Sequence, residues 1–253
     1  MKANRVLVAL VVLITFWREI HAFGATTPRV AGQWPGIPRG QAQDLAVQGD
    51  TLFARMTGGI AEIDVSNPAK MRRVGTLGSD YRRVAPATGN YILEYFGGPL
   101  RLLDVTDRTT PIEVSRVDGN FVNVAVAWPF VYTWNGDHER LETYDYSNPA
   151  HPVAIEGATV AGDWPSLKVQ GNILAGITRP GTFTLFDISN RTNLVQRGAY
   201  SGVYLYGPFD LAGQYAYVTD ARNLIILDLQ NAAQEVGRAD MQEIGRASCR
   251  ERV

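Results

Sequence analysis

One pattern recurs along this chain: a short apolar run that ends in aspartate and is followed by a turn. It appears as AEIDVSNPA at Asp64, RLLDVTDRT at Asp104, ETYDYSNPA at Asp145, TLFDISNRT at Asp187 and IILDLQNAA at Asp228, with successive aspartates 40, 41, 42 and 41 residues apart. A second marker keeps the same phase, reading LAVQGD at Gly49, APATGN at Gly89, LKVQGN at Gly171 and DLAGQ at Gly213, each 15 or 16 residues ahead of its aspartate. The third unit departs from it, with Trp128-Pro129 in place of the glycine turn and the extra residues NGDHER before Asp145. A fixed period of this size marks a repeat architecture, in which no unit can bury its own apolar faces and stability comes from stacking.

Each unit divides into four short strands. In the first they are predicted at 44–47, 52–56, 60–65 and 72–77, separated by Gln-Gly-Asp, Thr-Gly-Gly and Ser-Asn-Pro-Ala. These separators form turns because glycine reaches positive φ and Asn-Pro favours turn initiation. Gly (25), Pro (13) and Tyr (11) are plentiful, which suits many strands joined tightly and disfavours long helices. Alternation within the strands is imperfect, as in Ile60-Ala61-Glu62-Ile63-Asp64-Val65, because sheets stacked on both faces bury both sides. The expected fold is therefore all-β: a β-propeller of four-stranded antiparallel blades, with five repeats present.

The VQGD strand and turn, the DVSNPA segment and the RVGTL fourth strand resemble the LVIVD-repeat propellers, found mainly in bacteria and archaea and often exported, over residues 29–240. That resemblance implies a scaffold rather than a reaction. Arg29-Val30-Ala31-Gly32-Gln33-Trp34 looks like a fourth strand without its first three, and is read as the closing strand of the ring. The expectation is a propeller truncated from a ring of six or seven blades.

Both ends of the chain differ from the repeats. Lys2 and Arg5 precede an apolar run from Val6 to Phe16, with small residues at Ala22, Gly24 and Ala25, so residues 1–24 read as a secretory signal peptide. That run is shorter than the roughly 20 residues a membrane-spanning helix needs, so no transmembrane span is expected in the mature chain. Residues 243–253 (EIGRASCRERV) break the pattern and resemble a translated sequencing adapter, which leaves 25–242 as a partial propeller. The single cysteine, Cys249, lies in that tail, so neither disulfides nor thiolate metal sites are expected. A formal charge of -1 offers no basic excess for a nucleic-acid partner. The expected location is secreted, periplasmic or on the cell surface.

The repeated aspartates are read as turn formers that accept backbone N–H groups. More suggestive is an aromatic residue 23 or 24 positions ahead of four aspartates, at Tyr81, Phe121, Trp164 and Tyr204, with Trp34 as a fifth. These fall where one blade passes to the next near the channel mouth. There they can stack on a ligand or wedge between blades. Arg82, Arg83, Asn123, Lys168 and Tyr206 are the polar and aromatic neighbours expected to share that mouth. The hairpin residues Asn135 to Arg140, including His138, read as a solvated loop tip rather than a site. With no GxSxG, Walker loop or HExxH, the expectation is an exported scaffold that presents a loop face to a protein or cell-envelope glycan, without cofactor, metal or catalytic residues. The alternative is a hydrolase or lyase with its active site at the channel mouth.

Overall fold

The protein's structure, a computed structural model, describes residues 44–241 except 57–58, 78–81, 108–109, 157, 165, 180, 202–204 and 206–208. Within them the fold is the predicted all-β propeller, five blades of consecutive antiparallel strands. Blade 1 holds β1 (Asp44–Gln48), β2 (Thr51–Met56), β3 (Gly59–Asp64) and β4 (Arg72–Leu77), within two residues of the boundaries read from its turns. Blade 2 holds β5 (Arg83–Pro86), β6 (Tyr91–Tyr95), β7 (Gly98–Asp104) and the first half of β8 (Ile112–Ala127). Blade 3 takes the second half of β8, then β9 (Phe130–Asn135), β10 (Arg140–Asp145), β11 (Val153–Ala154) and β12 (Val160–Ala161). Blade 4 is β13 (Ser166–Gln170), β14 (Ile173–Thr178), β15 (Thr182–Asp187) and β16 (Val195–Ser201). Blade 5 is β17 (Phe209–Ala212), β18 (Tyr215–Thr219), β19 (Asn223–Asp228) and β20 (Gln234–Asp240).

Two features depart from uniform four-stranded units. Strand β8 is continuous for 16 residues, so the outer strand of blade 2 becomes the inner strand of blade 3 and the two blades share one ladder. It changes partner through bulges at Gly98/Leu100 and Phe121/Asn123, with Gly119 at φ 149°. The ladder between the third and fourth strands also bulges just ahead of the aspartate in blades 1, 2, 4 and 5, at Glu62/Ile63, Leu102/Leu103, Leu185/Phe186 and Ile226/Leu227. In blade 3 that bulge has grown into a break between β11 and β12. The gap is bridged by Ile155 N–H to the Thr143 carbonyl (2.9 Å) and by Thr143 Oγ1 to the Ala158 carbonyl (2.9 Å).

Core residues sit between blades. Phe53 and Ile60 of blade 1 meet Val84, Ile92 and Leu103 of blade 2. Leu93, Leu100 and Leu102 meet Val124, Val131 and Tyr144 of blade 3. Tyr132 and Leu141 meet Leu167 and Leu174 of blade 4, while Ala175, Phe183 and Leu185 meet Phe209, Val218 and Leu227 of blade 5. Each blade thus turns one set of alternating side chains forward and the other back, which is why its strands read as nearly continuous apolar runs. Leu167 and Phe209, on the backward faces of their inner strands, are 5% and 3% exposed, whereas Leu45 at the matching place in blade 1 is 48% exposed.

The motif residues explain the stacking geometry. In the VQG turns the glutamine reaches the next blade: Gln48 Nε2 donates to the carbonyls of Gly89 (2.5 Å) and Tyr91 (3.1 Å), and Gln170 Nε2 to that of Gly213 (2.5 Å). Where blade 3 carries Trp128 instead, the indole stacks on Tyr91 of blade 2 at 6.3 Å. All five aspartates accept the backbone N–H two residues on, at 2.7–3.0 Å: Ser66, Thr106, Ser147, Ser189 and Gln230. They are turn formers, as their position before Ser-Asn and Thr-Asp implies.

Two outcomes follow from these contacts. Gln170→Ala removes a neutral inter-blade hydrogen bond and is expected to lower stability by about 1 kcal/mol in urea unfolding, with Gln48→Ala behaving alike. Acid should erode stability through carboxylates that are paired in the fold. Hydrogen bonds from Ser66 and Arg72 hold Asp64 near 2 against its ordinary 3.8, and arginine hydrogen bonds hold Glu113 and Glu235 near 2 against 4.5. These groups bind fewer protons folded than unfolded. Their contribution is therefore complete above the unfolded values and lost as pH falls through about 2. A thermal midpoint series should decline from about pH 4.5 downward, and a flat midpoint over that window would contradict it.

Candidate functional site

In a four-stranded meander the chain ends of each blade fall on two sides. One carries the Gly49-, Gly89-, Gly171- and Gly213-type turns and the aspartate turns. The other, here the loop face, carries the β2–β3, β6–β7, β9–β10, β14–β15 and β18–β19 hairpins and the passages between blades. Two polar clusters stand on the loop face.

The first lies over the seam between blades 1 and 2 and centres on Phe96 at the tip of the β6–β7 hairpin. Phe96 has φ 109°, a conformation costly for a bulky side chain, and is held there because its N–H and that of Gly97 both donate to the Phe121 carbonyl at 3.0 Å. Over its ring lie two guanidinium groups, Arg83 at 4.7 Å and Arg55 at 5.3 Å from the centroid. Arg55 stands next to the end of its strand opposite Asp44, and Arg83 opens its strand opposite Tyr95, so the antiparallel register places both cations at the same edge. Arg82 lies beside them, its Nη1 3.4 Å from the Pro99 carbonyl and its guanidinium against Gly98, where a Cβ would stand 3.2 Å away. Asp44 Oδ2 is 3.9 Å from Arg83 Nε. Tyr95 lies beneath; burial, then Asp44, pushes its hydroxyl up to about 12 against the opposing influence of Arg83 and Arg55.

The second cluster is built on the blade 3 hairpin around Glu142, 4% exposed on the side turned to blade 2. Its Oε1 takes Arg140 Nε (2.9 Å) and pairs with His138 Nδ1 (2.6 Å), and its Oε2 takes Asn135 Nδ2 (3.1 Å) and the Tyr144 hydroxyl (2.8 Å). Burial works to raise the Glu142 pKa. The hydrogen bonds from His138, Arg140, Asn135 and Tyr144 outweigh it and hold the group ionised. Asn135 Oδ1 in turn accepts the Asp137 N–H at 3.0 Å and shapes the hairpin. The stretch Asn135–Arg140 is therefore an ordered cap on a buried carboxylate. Glu142 and Tyr144 were not singled out from the sequence, although a glutamate three residues before the turn aspartate, in a strand buried on both faces, is the signal that could have found them.

The residues expected at the mouth separate into groups. Phe121 and Trp164 are 0% and 3% exposed. Phe121 meets Tyr144 edge-on at 5.9 Å and Trp164 meets Phe186 at 5.5 Å, so both rings serve as wedges between strands. Arg82 and Arg83 join the Phe96 cluster. Asn123 is half-buried, accepting the Val124 N–H at 3.0 Å, and Lys168 Nζ forms an ion pair with Asp210 of blade 5 at 2.8 Å. Trp34, Tyr81, Tyr204 and Tyr206 lie outside the described residues, as do the signal and adapter-like segments. Arg55 and Phe96 had not been expected. Among the described residues no group of three or more His, Cys, Asp or Glu side chains is arranged to hold a metal ion.

The family model described as LVIVD repeat matches residues 39–77 and 210–235, which fall in the first and last of the five units. No curated protein matches the chain. Among solved structures, the β-propeller domain of Cps50 (Swd1) from Myceliophteria thermophila is similar at TM-score 0.60 and 13% identity, over 78% of this chain and 71% of that one. A protein from Lactobacillus plantarum is similar at TM-score 0.59 and 11% identity, over 78% and 70%. The apo AztD protein from Citrobacter koseri is similar at TM-score 0.56 and 10% identity, over 79% and 72%. At these identities the likeness establishes the propeller fold.

Removing the Glu142 carboxylate strands two buried donors. Glu142→Leu is expected to lower stability by about 2 kcal/mol in urea unfolding, and Glu142→Gln by less, since an amide oxygen still accepts from Asn135 and Tyr144. Equal stability of Glu142→Leu and the native chain would contradict this role.

Proposed function

We propose that this LVIVD-repeat propeller is an exported binding scaffold whose loop face receives a protein or cell-envelope glycan. The observation that carries the proposal is the Phe96 cluster. Elements from two blades bring Arg55 and Arg83 over one ring held at a strained backbone angle, with Arg82 against Gly98 of the same hairpin. Strain of that kind persists where the surroundings over-determine it and gathers at ligand clamps. Export is supported by the charged and apolar pattern of residues 1–24. Among the described residues no helix is long and apolar enough to cross a membrane.

A hydrolase or lyase reading has one observation of its own. His138 Nδ1 sits 2.6 Å from the buried Glu142 carboxylate, the pairing that orients a general base in many active sites. It predicts turnover of ester or glycan substrates that disappears in His138→Ala.

The binding reading is tested by immobilising the full chain and measuring retention of envelope proteins and of arrayed envelope glycans. Phe96→Ala with Arg83→Ala should reduce retention roughly tenfold, as removal of a central aromatic and arginine anchor does. Lys70→Ala, on the opposite side of the blades, should leave it unchanged. Retention lost through the Lys70 side, or insensitive to both, would defeat the proposal.

A further inference from the structure

The chemistry at Phe96 specifies more than a face. We propose that the cluster recognises carboxylate side chains of an acidic peptide segment, an inference that rests on the loop face being the binding surface. Arg55 and Arg83 lie over Phe96 with Arg82 against the same hairpin, and the Asp44 carboxylate stands 3.9 Å from Arg83 Nε, beyond hydrogen-bond reach. Arg83 Nε is buried and makes no hydrogen bond among the described residues, while the rest of its side chain stays 31% exposed. A buried donor left this way is costly unless a ligand supplies the acceptor. Stacking on Phe96 holds the planar guanidinium groups in place, and a planar fork matches a carboxylate through two parallel hydrogen bonds.

A sugar is served less well. Stacking on a pyranose requires an open aromatic face, but Phe121 and Trp164 are enclosed and Phe96 carries Arg55 and Arg83. What the loop face exposes at this seam is positive charge on an apolar base. That combination suits a Glu or Asp side chain whose oxygens meet the arginines where they lie over Phe96. The hairpin is already pinned by the two hydrogen bonds to the Phe121 carbonyl, so binding need not order it.

The test uses the full chain and fluorescently labelled hexaglutamate, with hexaglutamine as the neutral counterpart and an oligogalacturonate as a sugar-borne carboxylate. Hexaglutamate should bind and weaken with added salt, and hexaglutamine should not bind. Arg55→Gln with Arg83→Gln should weaken binding roughly tenfold or more, the scale of losing charge-assisted hydrogen bonds. Asp44→Asn, which removes the competing carboxylate, should tighten binding severalfold. That gain cannot come from misfolding. Arg179→Gln, at a loop-face arginine paired with Asp163 in blade 4, should change nothing. Equal binding of both peptides, or Asp44→Asn without effect, would overturn the inference. Binding of the galacturonate at these arginines without the peptide would also overturn it, while leaving the loop-face proposal standing. A partner whose retention depends on the Lys70 side instead would bring down both.

Discussion

A four-stranded blade has two apolar faces and no means of hiding either. Everything else in the structure follows from pairing the forward face of one blade with the backward face of the next. Four hydrophobic clusters mix residues from neighbouring units, and a smaller one around Ala54, Ala61 and Ile63 lies within blade 1. Close approach has to be tolerated in the backbone as well. At Gly198 on the outer strand of blade 4, a Cβ would come within 2.3 Å of the Ala232 carbonyl oxygen of blade 5. A side chain there would push two blades apart. The glutamines of the VQG turns act at the opposite radius, tying inner strands together through backbone carbonyls that every blade possesses.

This packing demand decides what is left over for recognition. Large aromatic rings at blade passages are the most effective wedges, and the structure uses Phe121 and Trp164 that way. What reaches solvent at the same edge is then the ends of strands, where the register sets Asp44 opposite Arg55 and Arg83 opposite the buried Tyr95. The surface chemistry of the loop face thus arises from alternation. Once the apolar positions are committed to the seams, the strand-end positions are free to carry charge without costing core area.

The fold was legible because its signals are local and repeated. Turn residues at fixed spacing set the strand boundaries of blade 1 to within two residues, and an Asp before Ser-Asn announces a side chain that caps its own turn. The site was less legible, because its members are distant in sequence. Arg55 and Arg83 are brought together by two strands of different blades, and Phe96 draws its significance from a backbone angle that no composition rule reports. Aromatic periodicity marked Phe121 and Trp164 correctly as recurring. Periodicity alone, however, does not say whether a ring faces a neighbour or a ligand. The merger of blades 2 and 3 escaped notice for a related reason: Asp118-Gly119-Asn120 has the composition of a turn, yet its glycine at φ 149° keeps the strand extended through the passage.

The seams also differ in kind. Between blades 4 and 5 the buried cluster is apolar throughout, with polar pairs such as Lys168–Asp210 and Tyr200–Glu235 at its margins. The seams around blade 2 instead bury carboxylates: Glu62 and Glu94 on the side shared with blade 1, and Glu142 on the side shared with blade 3. Glu94 is paired with Arg101, which also reaches Glu113 at 2.6 Å, and Glu142 is satisfied by its hairpin. Buried ionic groups add little net stability compared with apolar packing, but they tolerate few alternative arrangements, because each displaced partner leaves a charge without compensation. A seam held in this way fixes the relative position of its blades more narrowly than a greasy one does. The loop-face cluster sits over such a seam, and its arginines come from both sides of it. Their spacing is therefore set by the part of the propeller least able to slide.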